Sequence, residues 1–475
     1  MGEFSSYSSV FSWRYGGKPM RELFGEKKTR LLWRKAWVSL ARAQKEAGLV
    51  SSEELKEIEK HSDEVDIEKA HLIERDIKHD LMAELRVFSS QAGKAGGKLH
   101  MGATSMDIED NADALRTRKA IRIIREGAFH LLASFEKQIS RYADLECMGL
   151  THLQTAEPTT VGYRFCFYAQ DLMMDLAQLD LAYSFAKGKG FKGAVGTAAS
   201  YNSLLKGKKM TAEELEAKAM AEFGLPAFEV SSQVSPRKVD FMVLNALAGI
   251  AATLHKFAFD VRFLQSPYVF EAMEPFAEMQ VGSSAMPFKR NPVKSERVCS
   301  LARFVSALPA VAWHNAANSL LERTLDDSAN RRIIIPEGFL ATDEALRLSA
   351  EISGGLYLNK TAIERNYGMF SPFSFTEPLL MKLSEKGADR QEMHEVLRKL
   401  SLQAWQEVQK GRPNPLAALA RESKAIRKRL SEAEINAAFS GSHSGLAQKK
   451  CREYSKVIRK ALEGKSVPRP ERVEF

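Results

Sequence analysis

The chain has 475 residues, of which 44% are hydrophobic and 27% charged, with a formal net charge of +9. That length exceeds one compact core and predicts about two to four domains. The composition is that of a soluble globular protein, and four scattered cysteines argue against a disulfide framework. The positive charge admits nucleic acid or small polyanions as partners. Cations are interspersed with acids, however, as in EELKEIEKHSDE (53–64), and there is neither a nucleic-acid module nor aromatic–basic interleaving. Phosphates and carboxylates are therefore the expected anions. No apolar run approaches the ~18 residues of a bilayer span, and the N-terminus lacks the apolar stretch of a secretory signal. No membrane partner is expected. Cys147, Cys166, Cys299 and Cys451 are scattered with no Cys-x-x-Cys pair. That pattern suits reduced thiols in the cytoplasm and argues against a zinc ribbon.

Residues 21–47 read as a helix, with Leu31, Trp33, Trp37, Leu40 and Ala41 on one side. IKHDLMAEL (77–85) sets His79 beside Asp80. The glycine-rich stretch 93–107 reads as a loop and fails phosphate-loop spacing. It carries His100, Thr104 and Ser105 ahead of the acids Asp107, Glu109, Asp110 and Asp113. Those acids could mimic a metal cluster, but complementing a helix dipole is the simpler reading.

Long helices are predicted over 109–145, 161–187, 236–265, 292–325 (with a kink at Pro309) and 336–357. In 236–265, Val239, Val243, Leu247, Ile250, Leu254, Phe257, Val261 and Leu264 recur at spacings of three and four. Its other sides are small or apolar, so the helix is expected to be buried all round, with bundles from several subunits packing together. β-strand alternation is scarce. An N-terminal helical domain over 1–104, a five-helix bundle over 105–357 and a C-terminal helical domain over 358–475 are predicted.

Between the helices, THLQTAEPTTVGYR (151–164) puts His152 beside Thr151 and Gln154 in a loop. VGSSAMPFKRNPVKSERVCSLARF (281–304) interrupts the helices at Gly282 and Pro287, and Pro292 suits the first turn of a new helix. ERTLDDSANRR (322–332) holds acids flanked by arginines, a pattern of internal ion pairs or of an anion site. Together these stretches offer hydroxyls and cations for carboxylates, arginines for a phosphate and a histidine acid. They contain no metal or cofactor motif.

GSSAMPFKRNP (282–292) resembles the signature loop of the fumarase/aspartase superfamily, which reads Gly-Ser-Ser-x-Met-Pro-x-Lys-x-Asn-Pro. HMGATS (100–105), THLQTAEPTTVG (151–162), SQVSPRKVD (232–240) and ERTLDDSANRR resemble the adenylosuccinate lyase branch, from about Arg14 to at least residue 400. GSHSGL (441–446) is also family-like.

The resemblance implies an all-α, three-domain subunit in a homotetramer with a helical core and active sites shared by three subunits. It implies C–N β-elimination without a cofactor: adenylosuccinate to AMP and fumarate, and SAICAR to AICAR and fumarate. By the same likeness Ser283 is the base, His152 the acid and Glu296 its orienting carboxylate. Lys289 and Asn291 hold the substrate carboxylate, and His79 binds substrate. Arg14, Tyr15, Lys78, Asp80, Thr104, Ser105, Thr151, Gln233, Arg297, Arg323, Ser328 and Arg332 match nucleotide-binding positions. Lys78 departs from the family's arginine, keeping the charge and losing the bidentate fork. The alternatives are another lyase of the superfamily, acting on argininosuccinate, malate or aspartate, and a non-catalytic helical scaffold.

Overall fold

A computed structural model describes residues 6–440, 443–468 and 473. Gly441 and Ser442 of the family-like GSHSGL lie outside the described residues. The fold is all-α, as expected. The N-terminal part comprises α1 (Lys18–Phe24), α2 (Glu26–Glu46), α3 (Ser52–Lys60), α4 (Ile67–Ile77) and α5 (Asp80–Gln91). The single helix predicted over 21–47 is thus broken, because Gly25 is extended at φ −65°, ψ 149° between α1 and α2.

Five long helices follow: α6 (Ser105–Arg141), α7 (Val161–Phe185), α10 (Lys238–Leu264), α11 (Val293–Ala317) and α12 (Ser328–Gly355). The short α8 (Ala199–Leu204) and α9 (Ala212–Phe223) lie between α7 and α10. The five long helices share one apolar core, in which Phe135, Leu254, Phe257 and Phe339 are at most 1% exposed. Each such side chain contributes roughly 1.5–3 kcal/mol by leaving water. Phe135 and Phe257 also meet edge to face at 5.1 Å. By length and composition α10 could cross a bilayer, contrary to the sequence expectation. It packs against α7, α11 and α12 at the centre of the bundle.

The helix predicted over 109–145 runs from Ser105 to Arg141, and two further boundaries differ more. The helix expected over 292–325 ends at Ala317. The one expected to begin at 336 begins at Ser328 and carries Pro336 internally. A proline removes one backbone hydrogen bond, but apolar contacts on both sides of Pro336 keep the helix continuous.

A second core combines α2 and α5 with Leu215, Ala219, Met220 and Phe223 of α9 and the first turns of α6. A third lies among α14 (Thr376–Glu385), α15 (Arg390–Gln409), α16 (Leu416–Glu422), α17 (Lys424–Arg427) and α18 (Glu432–Ala438). It is linked to the bundle through α13 (Lys360–Ser374), and the last helix, α19 (Ala447–Leu462), lies against α6 and α7.

One feature went unpredicted. β1 (Glu146–Thr151) and β2 (Gln154–Thr160) form an antiparallel hairpin with an irregular step between Met148 and Leu150. A two-residue strand pair, β3 (Ala272–Met273) with β4 (Tyr357–Leu358), ties the end of α10 to the end of α12.

Candidate active site

A cavity of about 380 Å³ opens where the first turns of α5, α6 and α12 converge. Asp80, Arg323, Ser328 and Arg332 line it. Asp80 accepts a hydrogen bond from Arg332 at 2.6 Å. Burial alone would raise the Asp80 pKa, but this ion pair holds it below the usual carboxylate range. Beside the cavity, His79 caps α5 by accepting the Met82 N–H through Nδ1 at 3.5 Å. Its Nε2 lies 3.4 Å from the Ser105 hydroxyl. Gln233 donates to Thr104 at 2.9 Å. Lys78 takes the left-handed conformation at the end of α4, with its ammonium on the Arg75 carbonyl.

Asp107, Asp110 and Asp113 of α6 are ion-pair and hydrogen-bonding residues more than dipole partners. Asp110 and Asp327 both bind Arg237, at 3.0 and 2.6 Å, which joins the starts of α6, α10 and α12. Arg331 donates to Asp240 at 2.6 Å. The internal ion pairs of ERTLDDSANRR therefore reach across helices and not within the segment. Asp107 caps α6 together with Thr104 and is fully buried. It takes the Lys189 ammonium, the Gly193 N–H at 3.0 Å and the Tyr201 hydroxyl at 3.1 Å.

The 282–292 loop is pinned at its base. Asn291 donates to the Gly282 carbonyl at 2.8 Å, and Gln265 to the Arg290 carbonyl at 2.9 Å. A Cβ on Gly282 would collide with the Lys289 carbonyl, so only glycine fits where the two legs cross. Buried Glu274 accepts the N–H groups of Lys294 and Ser295 at 2.9 and 2.8 Å. It thereby caps α11, whose positive end attracts a carboxylate. Within the loop the Ser283 hydroxyl oxygen receives the N–H of Met286 at 3.1 Å and of Ala285 at 3.4 Å. Both donors favour negative charge on that oxygen. Lys289 and Glu296 are exposed nearby.

His152 and Leu153 form the two-residue turn of the β1–β2 hairpin, with φ of +55° and +60°. Two successive non-glycine residues in the left-handed region are strained, and such strain concentrates at functional positions. Thr151 and His152 stand exposed at the tip. Among the described residues no hydrogen bond joins His152 to Glu296 within one chain.

Near the N-terminus, the Arg14 and Arg297 guanidinium groups both lie against the Tyr15 ring, at 5.9 and 5.5 Å. Arg297 also lies 3.7 Å from buried Glu344. Gly16 and Gly17 donate to Glu344 and Asp343 of α12, at 3.2 and 2.6 Å. Within one chain the predicted nucleotide residues fall in three groups: those at and beside the cavity, Arg14, Tyr15 and Arg297 near Glu344 of α12, and Thr151 on the hairpin of His152. The loop of Ser283 and the hairpin of His152 are separate groups.

Residues 18–306 match a general lyase family, and 372–445 match the adenylosuccinate lyase C-terminus. The adenylosuccinate lyase of Schistosoma mansoni is 40% identical over 88% of this chain and 87% of its own. That of Saccharomyces cerevisiae is 39% identical over 85% and 84%. The Pyrococcus horikoshii enzyme is 35% identical over 95% and 96%. The chain belongs to the adenylosuccinate lyase family. Two solved structures share the fold at lower identity. They are the fumarate lyase of Mesorhizobium sp. BNC1 (TM-score 0.82, 22% identical) and the 3-carboxy-cis,cis-muconate lactonizing enzyme of Pseudomonas putida (TM-score 0.84, 21% identical). Each covers 95% of this chain and is itself 99% covered.

As a member of the adenylosuccinate lyase family the chain is a carbon–nitrogen lyase. Sequence reasoning missed Glu274, Arg237 and Asp240, which hold the loop and the cavity wall. The resemblance in SQVSPRKVD was a usable signal for the last two. Glu274 lies in EPFAEM (274–279), which carries no motif.

Proposed function

We propose that the protein eliminates fumarate from adenylosuccinate, giving AMP, and from SAICAR, giving AICAR, in purine nucleotide synthesis. The observation that carries this reading is Ser283, whose oxygen sits under two backbone N–H donors in a loop pinned at its base. A neutral serine hydroxyl is too weak a base to deprotonate a carbon. Those donors, with Lys289, favour its alkoxide. Ser283 then takes the proton from the succinyl carbon beside a carboxylate. Lys289 and Asn291 hold that carboxylate as charge builds on it. The C–N electron pair leaves with nitrogen, the carbon–carbon double bond of fumarate forms, and His152, oriented by Glu296, protonates the departing nitrogen.

Ser283, His152 and the cavity residues meet, in this reading, when three subunits of a homotetramer come together. Phe167, Met174, Leu181 and Phe185 along α7, with Phe259 on α10 and Trp313 on α11, are between 42% and 60% exposed. Exposed apolar side chains recurring along long helices support burial against other copies. Four unpaired cysteines support a reducing, cytoplasmic setting. The three-domain division over 1–104, 105–357 and 358–475 belongs to the same proposal.

The 5′-phosphate common to both substrates is assigned to Arg323, Arg332 and Ser328. Arg323→Gln or Arg332→Gln is expected to weaken both substrates in parallel, by ten- to a hundredfold in KM. That corresponds to losing a charge-assisted hydrogen bond of roughly 1.5–3 kcal/mol. Succinyladenosine, which lacks the phosphate, should bind poorly to wild type and hardly worse to the mutants. Equal losses with and without the phosphate would make the Arg332–Asp80 pair a structural contact only.

A further inference from the structure

Two carboxyl groups that line the cavity at the start of α6 are not paired with its arginines, Glu74 of α4 and Glu109 of α6. Asp80 is held by Arg332, Asp113 by Arg116 at 2.6 Å, and Asp110 and Asp327 by Arg237. On the facing helices, Glu26 is held by Arg30 and by His71, both at 2.7 Å. Arg331 is occupied by Asp240. Glu109 also lines the cavity, one helical turn beyond Ser105. Among the described residues it has no hydrogen bond and no ion pair.

The groups around Glu109 are mostly of its own sign. Asp110 and Asp113 flank it on α6, and Asp80 faces it from α5. Glu74 of α4 lies on the same cavity wall. Arg332 of α12 is the cation that acts on it, and Arg332 is already engaged by Asp80. Burial first, and then the charges of Asp80, Asp113 and Asp110, push the Glu109 pKa up to about 8. At pH 7 the group is mostly neutral, with an O–H to donate.

We propose that protonated Glu109 donates a hydrogen bond to the substrate phosphate beside Arg323 and Arg332, and that its ionisation weakens phosphate binding by like-charge repulsion. This inference rests on the assignment of the cavity to the 5′-phosphate. Its sign is fixed by which form binds. Affinity is full while Glu109 is protonated and is lost as pH rises through its pKa. The phosphate's own second ionisation, near pKa 6, is nearly complete before that window.

Calorimetric titration with AMP at pH 7 and pH 9 tests the proposal, with adenosine as the control. Wild-type Kd for AMP should rise about tenfold between the two, as follows from one proton lost across that window, while adenosine binding stays flat. Glu109→Gln keeps a donor and cannot ionise, so its Kd should remain near the wild-type pH 7 value at both pH values. Glu109→Ala should bind AMP more weakly at pH 7 and also show no rise. A tenfold rise that persists in Glu109→Gln, or no rise in wild type, overturns the proposal. Arg332→Gln separates the two levels of the argument. If it weakens AMP but not adenosine while Glu109→Gln still shows the rise, Glu109 alone was misassigned. If it weakens both ligands equally, the phosphate assignment fails and the proposal with it.

Discussion

Ser283→Ala is expected to lower kcat by about 10²–10⁴-fold, the usual loss when a positioned proton-transfer group is removed. The helical content and oligomeric state should not change, because Ser283 bonds only to N–H groups of its own exposed loop. His152→Ala should give a loss of similar size for a different reason, since it removes the group proposed to protonate the leaving nitrogen. The two groups lie on separate parts of one chain, so mixing the two inactive variants and allowing subunits to exchange should restore part of the activity. Some sites in the hybrids would receive both intact residues. Near-normal kcat in Ser283→Ala would shift the base to another group, with Ser284 the next candidate. No recovery after verified subunit exchange would contradict the shared site.

The second large effect concerns stability. Asp107→Ala is expected to cost about 3–5 kcal/mol, the usual result of leaving a buried cation without its partner. Asp107 is fully buried and binds Lys189, which is itself 0% exposed, as well as Gly193 and Tyr201. Removing it strands an ammonium and leaves the two hydrogen bonds between Asn111 and Gly190 to tie the 189–201 segment to the start of α6. Asp107→Asn keeps an acceptor for the N–H and O–H donors and should lose less. Thermal unfolding at fixed protein concentration would show a clear drop in Tm for the alanine variant and a smaller one for asparagine. An unchanged Tm for Asp107→Ala would mean that Asn111 and the apolar contacts suffice to hold the segment.

The long helices were legible because their apolar residues repeat at three and four over many turns, as in Val243, Leu247, Ile250 and Leu254 of α10. The loop at 282–292 was legible because Gly282, Pro287 and Pro292 each restrict the backbone in a known way. Helix ends were less so. Pro336 signals a helix start, yet α12 begins eight residues earlier because long-range packing outweighs one lost hydrogen bond. The hairpin was invisible to a search for alternation. Its strands are short, one contains Pro158, and the register shifts after Met148. His152 was correctly placed outside a helix, but the left-handed turn that exposes it depends on strand pairing. The ion-pair partners were also hidden. Arg237 and Asp110 are 127 residues apart in sequence, and no local pattern joins them. Among the described residues no hydrogen bond or ion pair joins His152, Ser283 and the cavity residues within one chain, and only motif likeness pointed to them together.

The central claim is the elimination of fumarate from a succinylated purine nucleotide. It is tested most directly by incubating the purified protein with adenylosuccinate and following fumarate release by ultraviolet absorbance. Argininosuccinate and malate serve as controls. Turnover of adenylosuccinate to equimolar AMP and fumarate, abolished in Ser283→Ala and absent with both controls, is the predicted result. Release of fumarate from argininosuccinate or malate but not from adenylosuccinate, or from none of the three, would contradict the account.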